Sequence, residues 1–126
     1  MSNQIPPPRL LNGATVHGLL GQRGIRHPAE LILPAFIKEG APEPIAIASM
    51  PGVVQHTSDT LKAAAAEAAE LGLGGIMLFG VPETRDAVGS TSLDPEGVLN
   101  QAIRDVKSEV GDALVVMSDL CLDEFT

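Results

Sequence analysis

The amino-acid sequence predicts an α/β fold in which parallel strands alternate with helices. Three short apolar runs, at residues 31–37, 76–81 and 114–117, have the length and composition of buried strands. Two segments with apolar residues at helical spacing separate these runs. Alternating elements of this kind imply a parallel sheet with right-handed crossovers, because the chain must return to the same end of the sheet before each new strand.

The spacing of the strands indicates which parallel fold to expect. The strands begin at positions 31, 76 and 114, so one repeat takes about 40 residues, and eight repeats would need about 320, a length typical of a (β/α)8 barrel. The loops after the first two strands are long, as in barrels whose functional face is built from these loops. We therefore expect the N-terminal part of a (β/α)8 TIM barrel in the order β-α-β-α-β, and the front part of a larger enzyme.

The first 28 residues show little apolar periodicity. Pro6-Pro7-Pro8 favours an extended start, and several glycines disfavour a helix in the residues that follow. We interpret residues 1–28 as an irregular N-terminal arm and residues 29–126 as the incomplete barrel. A disordered tail is the alternative interpretation of residues 1–28.

The first predicted strand contains Pro34, which cannot donate a hydrogen bond to a sheet. Such a proline is expected at an edge, at a strand start or at a bulge. Residues 40–57 follow this strand and contain prolines and glycines at short intervals. They are predicted to form a loop.

The first helix is predicted from Asp59 to Leu71, with Thr57 or Ser58 as its N-cap and Gly72 as its stop. The small side chains of its alanines allow a close approach to a sheet. Its expected buried stripe consists of Leu61, Ala64, Ala65, Ala68 and Leu71.

The second helix is predicted to open at Asp94-Pro95-Glu96 and to end at Gly111. Asp94 is the expected N-cap, and Pro95 suits the first turn because its missing N–H has no helical partner there. The expected buried stripe consists of Leu99, Ala102, Ile103, Val106 and Val110.

Composition and charge exclude several functional classes. The net charge is −8, and the chain has three Phe, no Tyr and no Trp, which argues against a nucleic-acid surface. The start of the chain lacks the features of a secretory signal, and no apolar run reaches the roughly 18 residues of a spanning helix. One cysteine excludes an internal disulfide framework. We expect a cytoplasmic protein without nucleic-acid or membrane partners.

The best candidate site follows the third predicted strand, because residues at the carboxyl ends of parallel strands commonly carry the chemistry. Asp119 there is a candidate general acid or base, or an orienting group, or simply a cap for the next loop. In an extended segment the side chains of Cys121 and Asp123 would point the same way, and zinc accepts both donor types. Two ligands do not complete a metal site, so a buried cysteine beside a solvated acidic turn is the alternative.

Lys38 is the one lysine at the end of a predicted strand. A lysine in this position can form a Schiff base if its surroundings lower its pKa, and a solvated loop lysine is the more ordinary interpretation. The glycine-rich stretch at residues 72–75 follows a helix and precedes a strand, which is the reverse of the order in a dinucleotide-binding loop.

Six short segments have a distinctive order and spacing. They are 31–40 (LILPAFIKEG), 49–53 (SMPGV), 78–82 (LFGVP), 94–97 (DPEG), 102–104 (AIR) and 118–126 (SDLCLDEFT). Together they resemble the porphobilinogen synthase family, also called delta-aminolevulinic acid dehydratase. The resemblance covers about residues 28–126, whereas residues 9–27 depart from the Arg-rich start usual in that family.

The resemblance implies a (β/α)8 barrel with an N-terminal arm and a lyase activity. The family joins two molecules of 5-aminolevulinate into porphobilinogen, with loss of water, in tetrapyrrole (haem) biosynthesis, and it assembles as a homo-oligomer, commonly an octamer. Its two Schiff-base lysines lie on later strands, and neither Lys38, Lys62 nor Lys107 corresponds to them. We therefore expect these lysines beyond Thr126, and we expect the chain to be inactive alone.

The resemblance also bears on the residues that follow the third strand. Asp119 matches the family's active-site aspartate. Zinc-type members carry three cysteines in this region, of which Cys121 matches the first, Asp123 replaces the second, and the third would fall past the chain end. The resemblance therefore implies a metal, with zinc or magnesium left open.

Two functions of another class remain open alternatives. The chain could be a small non-catalytic α/β binding domain that kept the barrel motifs. It could also be a partial-barrel module that self-assembles through the open edge of its third strand.

Overall fold

In the computed structural model, residues 27–126 are described, so nearly all of the predicted arm over residues 1–28 lies outside the described residues. The elements are β1 Ile32–Lys38, β2 Ile45–Ala46, β3 Val54–His56, α1 Ser58–Glu70, β4 Gly75–Val81, α2 Val98–Val110 and β5 Val115–Ser118. Short 3-10 helices cover Pro28–Glu30, Ser90–Leu93 and Asp123–Phe125. The three predicted strands and two predicted helices are confirmed, with each strand boundary within one residue.

The described residues form one sheet in the order β2-β3-β1-β4-β5. β4 lies between β1 and β5 and is parallel to both, as predicted. The prediction of residues 40–57 as a loop was wrong in part, because they contain β2 and β3. β3 is parallel to β1 and pairs with Phe36 and Ile37, and β2 is antiparallel to β3. These strands have two and three residues, too few to show an apolar period.

Pro34 lies in the middle of β1 without interrupting its pairing with β4. The N–H of Glu39 donates to the carbonyl of Val81 at 2.9 Å, and donors of alternate residues in a strand point to the same side. Pro34 therefore directs its nitrogen away from β4, toward an edge where β3 reaches only Phe36 and Ile37. β1 is the middle strand of the described sheet, but the side of β1 that the Pro34 nitrogen faces is locally an edge, one of the positions expected for this proline.

The core lies between the two helices and one face of the sheet. Alternate residues of β1 and β4 are buried there, and the small alanines of the helices lie against them. The buried residues are Ala35, Ile37, Leu61, Ala65, Ala68, Ile76, Leu78, Ala102, Val106 and Leu114. The other face of the sheet is not covered by the described helices, since exposed Ile32 and Val115 lie on it.

Thr57 caps α1, as predicted. Its hydroxyl oxygen accepts from the N–H of Thr60 at 3.2 Å, and the Thr60 hydroxyl accepts from the N–H of Thr57 at 3.0 Å. The inclusion of Leu71 in the buried stripe was wrong, because that side chain is 61% exposed. Leu71 is the C-cap, and Gly72 turns the chain away with a φ of 80°, so the leucine lies past the last turn that faces the sheet.

The predicted N-cap of α2 was also wrong. The helix begins at Val98 with Gly97 as its N-cap, and no side chain caps it. Asp94 instead forms a turn before the helix, where its carbonyl accepts from the N–H of Gly97 at 2.9 Å and from Asn100 Nδ2 at 2.7 Å. A Cβ at position 97 would lie 2.9 Å from the carbonyl oxygen of Thr91, so only glycine allows this close approach.

Two leucines of the α1 region provide a direct test of this packing. Leu61 is fully buried and Leu71 is largely exposed. We expect Leu61→Ala to lower the free energy of unfolding by about 2–5 kcal/mol because it leaves a cavity. Leu71→Ala should change it by less than about 0.5 kcal/mol. Urea unfolding followed by circular dichroism measures both, and equal losses would contradict the orientation of α1.

Candidate functional site

The strand pairing of the sheet continues as far as Asp119, which follows β5. Phe36 is opposite Phe79, and their rings stack with centroids 5.2 Å apart. Leu78 is opposite Ser118, and the N–H of Asp119 donates to the carbonyl of Leu78 at 3.2 Å. The pairing thus continues past β5, and Asp119 comes level with Phe79 on the sheet face opposite the helices.

The carboxylate of Asp119 is held by its own loop. Its Oδ1 accepts from the backbone N–H of Cys121 at 3.1 Å, and the residue is half-buried. Within residues 27–126, Oδ2 has no hydrogen-bond partner. The carboxylate therefore has a defined orientation and retains one oxygen that can accept a proton or a hydrogen bond.

Cys121 and Asp123 lie in a different backbone geometry from the one expected. Leu122 is helical, with φ −94° and ψ 0°, and Asp123 opens the 3-10 helix that ends at Phe125. The expectation of an extended segment was therefore wrong, because its alternating side-chain directions require extended backbone at Leu122. Both side chains are exposed. Across the described part of the chain, no group of three or more His, Cys, Asp or Glu side chains is arranged to hold a metal ion.

A cleft of about 180 Å³ lies beside Asp119. Its wall is formed by Thr91 and Ser92, by the start of α2 and by the segment after β5, and it includes Asn100 and Cys121. The hydroxyl of Thr91, also in this wall, is buried and has no hydrogen-bond partner among residues 27–126. The cleft joins the loop after β4 to the loop after β5.

Asp86 organises the loop after β4, a role that the sequence interpretation missed. Its carboxylate accepts from the N–H of Val88 at 3.1 Å, from the N–H of Ser90 at 2.9 Å and from the Ser90 hydroxyl. The N–H of Asp86 donates at 3.2 Å to the carbonyl of the buried Phe125. The loop after β4 is therefore hydrogen-bonded to the segment that follows Asp119. The signal in the sequence was an aspartate shortly before Gly89-Ser90, a combination typical of turns.

Lys38 lies at the end of β1, opposite Val81 on β4. The register places it on the same sheet face as Phe36 and Asp119. Its Nζ donates to the carbonyl of Pro82 at 3.4 Å. The structure thus brings Lys38 and Asp119 to the same face at the carboxyl end of the sheet, while Cys121 and Asp123 lie in the loop beyond.

Sequence comparisons relate the chain to one enzyme family. The family profile described as delta-aminolevulinic acid dehydratase matches residues 7–126. The delta-aminolevulinic acid dehydratase of Streptomyces coelicolor is 68% identical over 102 residues, which are 79% of this chain and 31% of that protein. The Mycobacterium tuberculosis protein of the same name is 50% identical over 122 residues, which are 95% of this chain and 37% of that protein.

A comparison with solved structures finds a member of the same family. The chain superimposes on a crystal structure of delta-aminolevulinic acid dehydratase (porphobilinogen synthase) from Toxoplasma gondii in complex with the reaction product porphobilinogen. The TM-score is 0.71 and the sequence identity 26%, and the match covers 98% of this chain and 35% of that one. The chain thus spans between 31% and 37% of the length of these relatives.

The contacts of Asp86 predict its titration. The Ser90 hydroxyl, followed by the Ser90 N–H, donates to the ionised carboxylate and holds the pKa of Asp86 below its ordinary value of 3.8. The loop contacts should therefore be fully formed above pH 3.8 and be lost as the pH falls through the lower folded pKa. Carboxyl NMR titration measures this pKa.

Ser90→Ala should raise the pKa of Asp86, because it removes the strongest donor. Ser108→Ala, an exposed position on α2, is the control and should leave it unchanged. A pKa of 3.8 or above for Asp86 in the unmodified chain would contradict the loop geometry.

Proposed function

The chain belongs to the delta-aminolevulinic acid dehydratase family, and from this membership we propose that it is part of a porphobilinogen synthase and is inactive alone. The proposed reaction joins two molecules of 5-aminolevulinate into porphobilinogen with loss of water, a lyase reaction of tetrapyrrole (haem) biosynthesis. The observation that carries the proposal is the family match over residues 7–126. The chain spans 31–37% of its curated relatives, so we further propose that the Schiff-base lysines belong to the part of the family's length that it does not span.

Asp119 is the residue of the described chain best suited to act on the substrate. It follows β5 at the carboxyl end of the sheet, where barrel enzymes carry their active-site residues. The Cys121 N–H orients its carboxylate, and its second oxygen is available. We assign Asp119 the role of accepting a proton or hydrogen bond from the substrate ammonium group or from water, with the apolar Phe79 beside it limiting access of solvent.

The family depends on metal ions, and the donors of this chain supply only part of a site. Cys121 and Asp123 offer a thiolate and a carboxylate, a pair that zinc accepts. Within residues 27–126 no third ligand joins them, so they do not complete a site by themselves. We propose both as ligands of a zinc or magnesium site, and the role given to Asp119 does not depend on that metal.

The proposed partners and location follow from the family. We propose a homo-oligomer, with the octamer implied by the resemblance as the first expectation, and a cytoplasmic location. None of the helices within residues 27–126 is long and apolar enough to cross a membrane.

A chimaera tests the proposed activity. The chain would replace the matching segment of the Streptomyces coelicolor relative, and porphobilinogen formation from 5-aminolevulinate would be measured. We expect the chimaera to be active and Asp119→Asn to lower its kcat by about 100-fold or more, since a positioned acid or base contributes that much. The control is Asp112→Asn, an exposed residue paired with Lys107 just before β5, which should leave kcat unchanged.

Two results would contradict the proposal. One is a folded chimaera without activity. The other is an unchanged kcat in the Asp119 variant. An inactive chimaera together with defined oligomers of the unmodified chain on size-exclusion chromatography would favour the self-assembling module instead.

Zinc titration of the chain tests the proposed ligands. We expect weak zinc binding that Cys121→Ser removes, because the thiolate is the stronger donor, and that Asp123→Asn reduces. Glu109→Gln, an exposed carboxylate on α2, is the control for a general loss of negative charge. Isothermal calorimetry measures the affinity, and equal effects of the Asp123 and Glu109 variants would exclude Asp123 as a ligand.

A further inference from the structure

Two consecutive residues at the end of β1 hold one peptide group at the start of the loop after β4. Lys38 Nζ donates to the carbonyl of Pro82 at 3.4 Å. Glu39 Oε1 accepts from the backbone N–H of Glu83 at 3.3 Å. The carbonyl of Pro82 and the N–H of Glu83 belong to the same peptide bond, so the two side chains bind both polar atoms of a single peptide group.

The geometry of strands and peptide groups explains why neighbouring residues make these two contacts. The pairing of β1 with β4 continues to Glu39, whose N–H donates to the carbonyl of Val81 at 2.9 Å, and consecutive side chains of an extended strand point to opposite faces. Within residues 27–126 every peptide bond is trans, so its carbonyl and its N–H point in opposite directions. Lys38 therefore reaches the peptide group from one face and Glu39 from the other.

Gly40 adds a third contact between the same two loops. Its φ is 71°, and an added Cβ there would collide with the carboxylate of Glu83. Any other residue would thus be strained in its backbone and would displace Glu83. Lys38, Glu39 and Gly40 end the first of the six sequence motifs and Pro82 ends the third, so these contacts give both motifs a structural role.

The loop held in this way is connected to the segment that carries Asp119. The N–H of Asp86 in this loop donates to the carbonyl of the buried Phe125 at 3.2 Å. Thr91 and Ser92 of the same loop form part of the wall of the cleft beside Asp119. Because a peptide group is planar, holding both of its polar atoms fixes the direction in which the loop leaves β4. The position of the cleft wall therefore depends on these contacts.

Lys38 and Glu39 are not held by ion pairs. The ion pairs found among residues 27–126 involve Lys62, Arg104 and Lys107, which all lie on helices. Both side chains at the end of β1 are half-buried. A hydrogen bond from or to a charged group is stronger than a neutral one, and partial burial reduces the competition from water. The peptide group is thus held by two charge-assisted contacts.

We propose that Lys38 and Glu39 are positioning residues that clamp the peptide group between Pro82 and Glu83. The clamp holds the loop after β4 against the segment after β5, and it acts through this loop and not on the substrate. Its effect on the loop rests on the contacts described above, whereas its effect on catalysis rests on the proposed function. Loss of either contact lets the peptide group rotate, and the hydrogen bond from the loop to Phe125 then opens more often.

Amide hydrogen exchange of the 126-residue chain, followed by NMR, tests the clamp. We expect Glu39→Ala to raise the exchange rates of the Glu83 amide, which it contacts, and of the Asp86 amide, which it does not, by about tenfold, the usual worth of one hydrogen bond to a charged group. Lys38→Met should raise both rates as well, although Lys38 contacts only the carbonyl. A merely local contact would change the Glu83 amide alone.

Conservative and matched variants separate the clamp from a general charge effect. Glu39→Gln keeps an oxygen acceptor and Lys38→Arg keeps a donor, so each should retain most of the protection. Lys62→Met and Glu70→Ala remove the same charges from α1 and should leave both amides unchanged. Because Lys38 and Glu39 bind one peptide group, the double variant should exchange little faster than either single variant.

Circular dichroism verifies that each variant is folded. An unchanged exchange rate at Asp86, additive effects in the double variant, or equal effects of the α1 variants would overturn the proposal.

The chimaera tests the effect of the clamp on catalysis. Glu39→Ala should lower its kcat by about tenfold or more and leave KM nearly unchanged, because misplaced groups lose transition-state contacts. Glu39→Gln should restore kcat. If the chimaera forms no porphobilinogen, the proposed function fails and the exchange rates still decide the clamp. If the chimaera is active and Glu39→Ala leaves kcat unchanged, the positioning role is overturned while the proposed function stands.

Discussion

The parallel pairing of β1 with β4 is the constraint on which the rest of the described structure depends. It joins seven residue pairs, from Ile32 with Gly75 to Lys38 with Val81. Because successive side chains of a strand point to opposite faces, this one register decides which residues meet the helices and which do not. A shift by one residue would exchange the buried Ile76 and Leu78 for the half-buried Met77 and Phe79.

The same register creates the candidate site. Parallel strands end on the same side of a sheet, so the loops after β1, β4 and β5 converge there. Hydrogen bonds between loops then fix their relative positions, from Glu83 to Glu39 on one side and from Asp86 to Phe125 on the other. The chemistry proposed for Asp119 therefore depends on the backbone pairing that positions its loop.

Much of this architecture could be predicted from the sequence, and the misses have physical causes. The N-cap Thr57 was predictable because capping is local. Asp94 has the same local signature, yet the close approach of Gly97 to Thr91 delays α2 until Val98. β3 was missed because three residues are too few to show the apolar alternation of a strand. It forms a strand through its pairing with β1.

The sequence by itself determined the class of the fold, the order of its main strands and helices, and the candidate residue Asp119, because these depend on apolar periodicity and on the order of short motifs. Only the tertiary structure decided the direction of each side chain at the site. The backbone at Leu122 is helical where an extended segment was expected between Cys121 and Asp123, and the strand register places Lys38 at the same end of the sheet as Asp119. The physical reason is that side-chain direction depends on register and on loop hydrogen bonds between residues far apart in the chain, which local patterns do not encode.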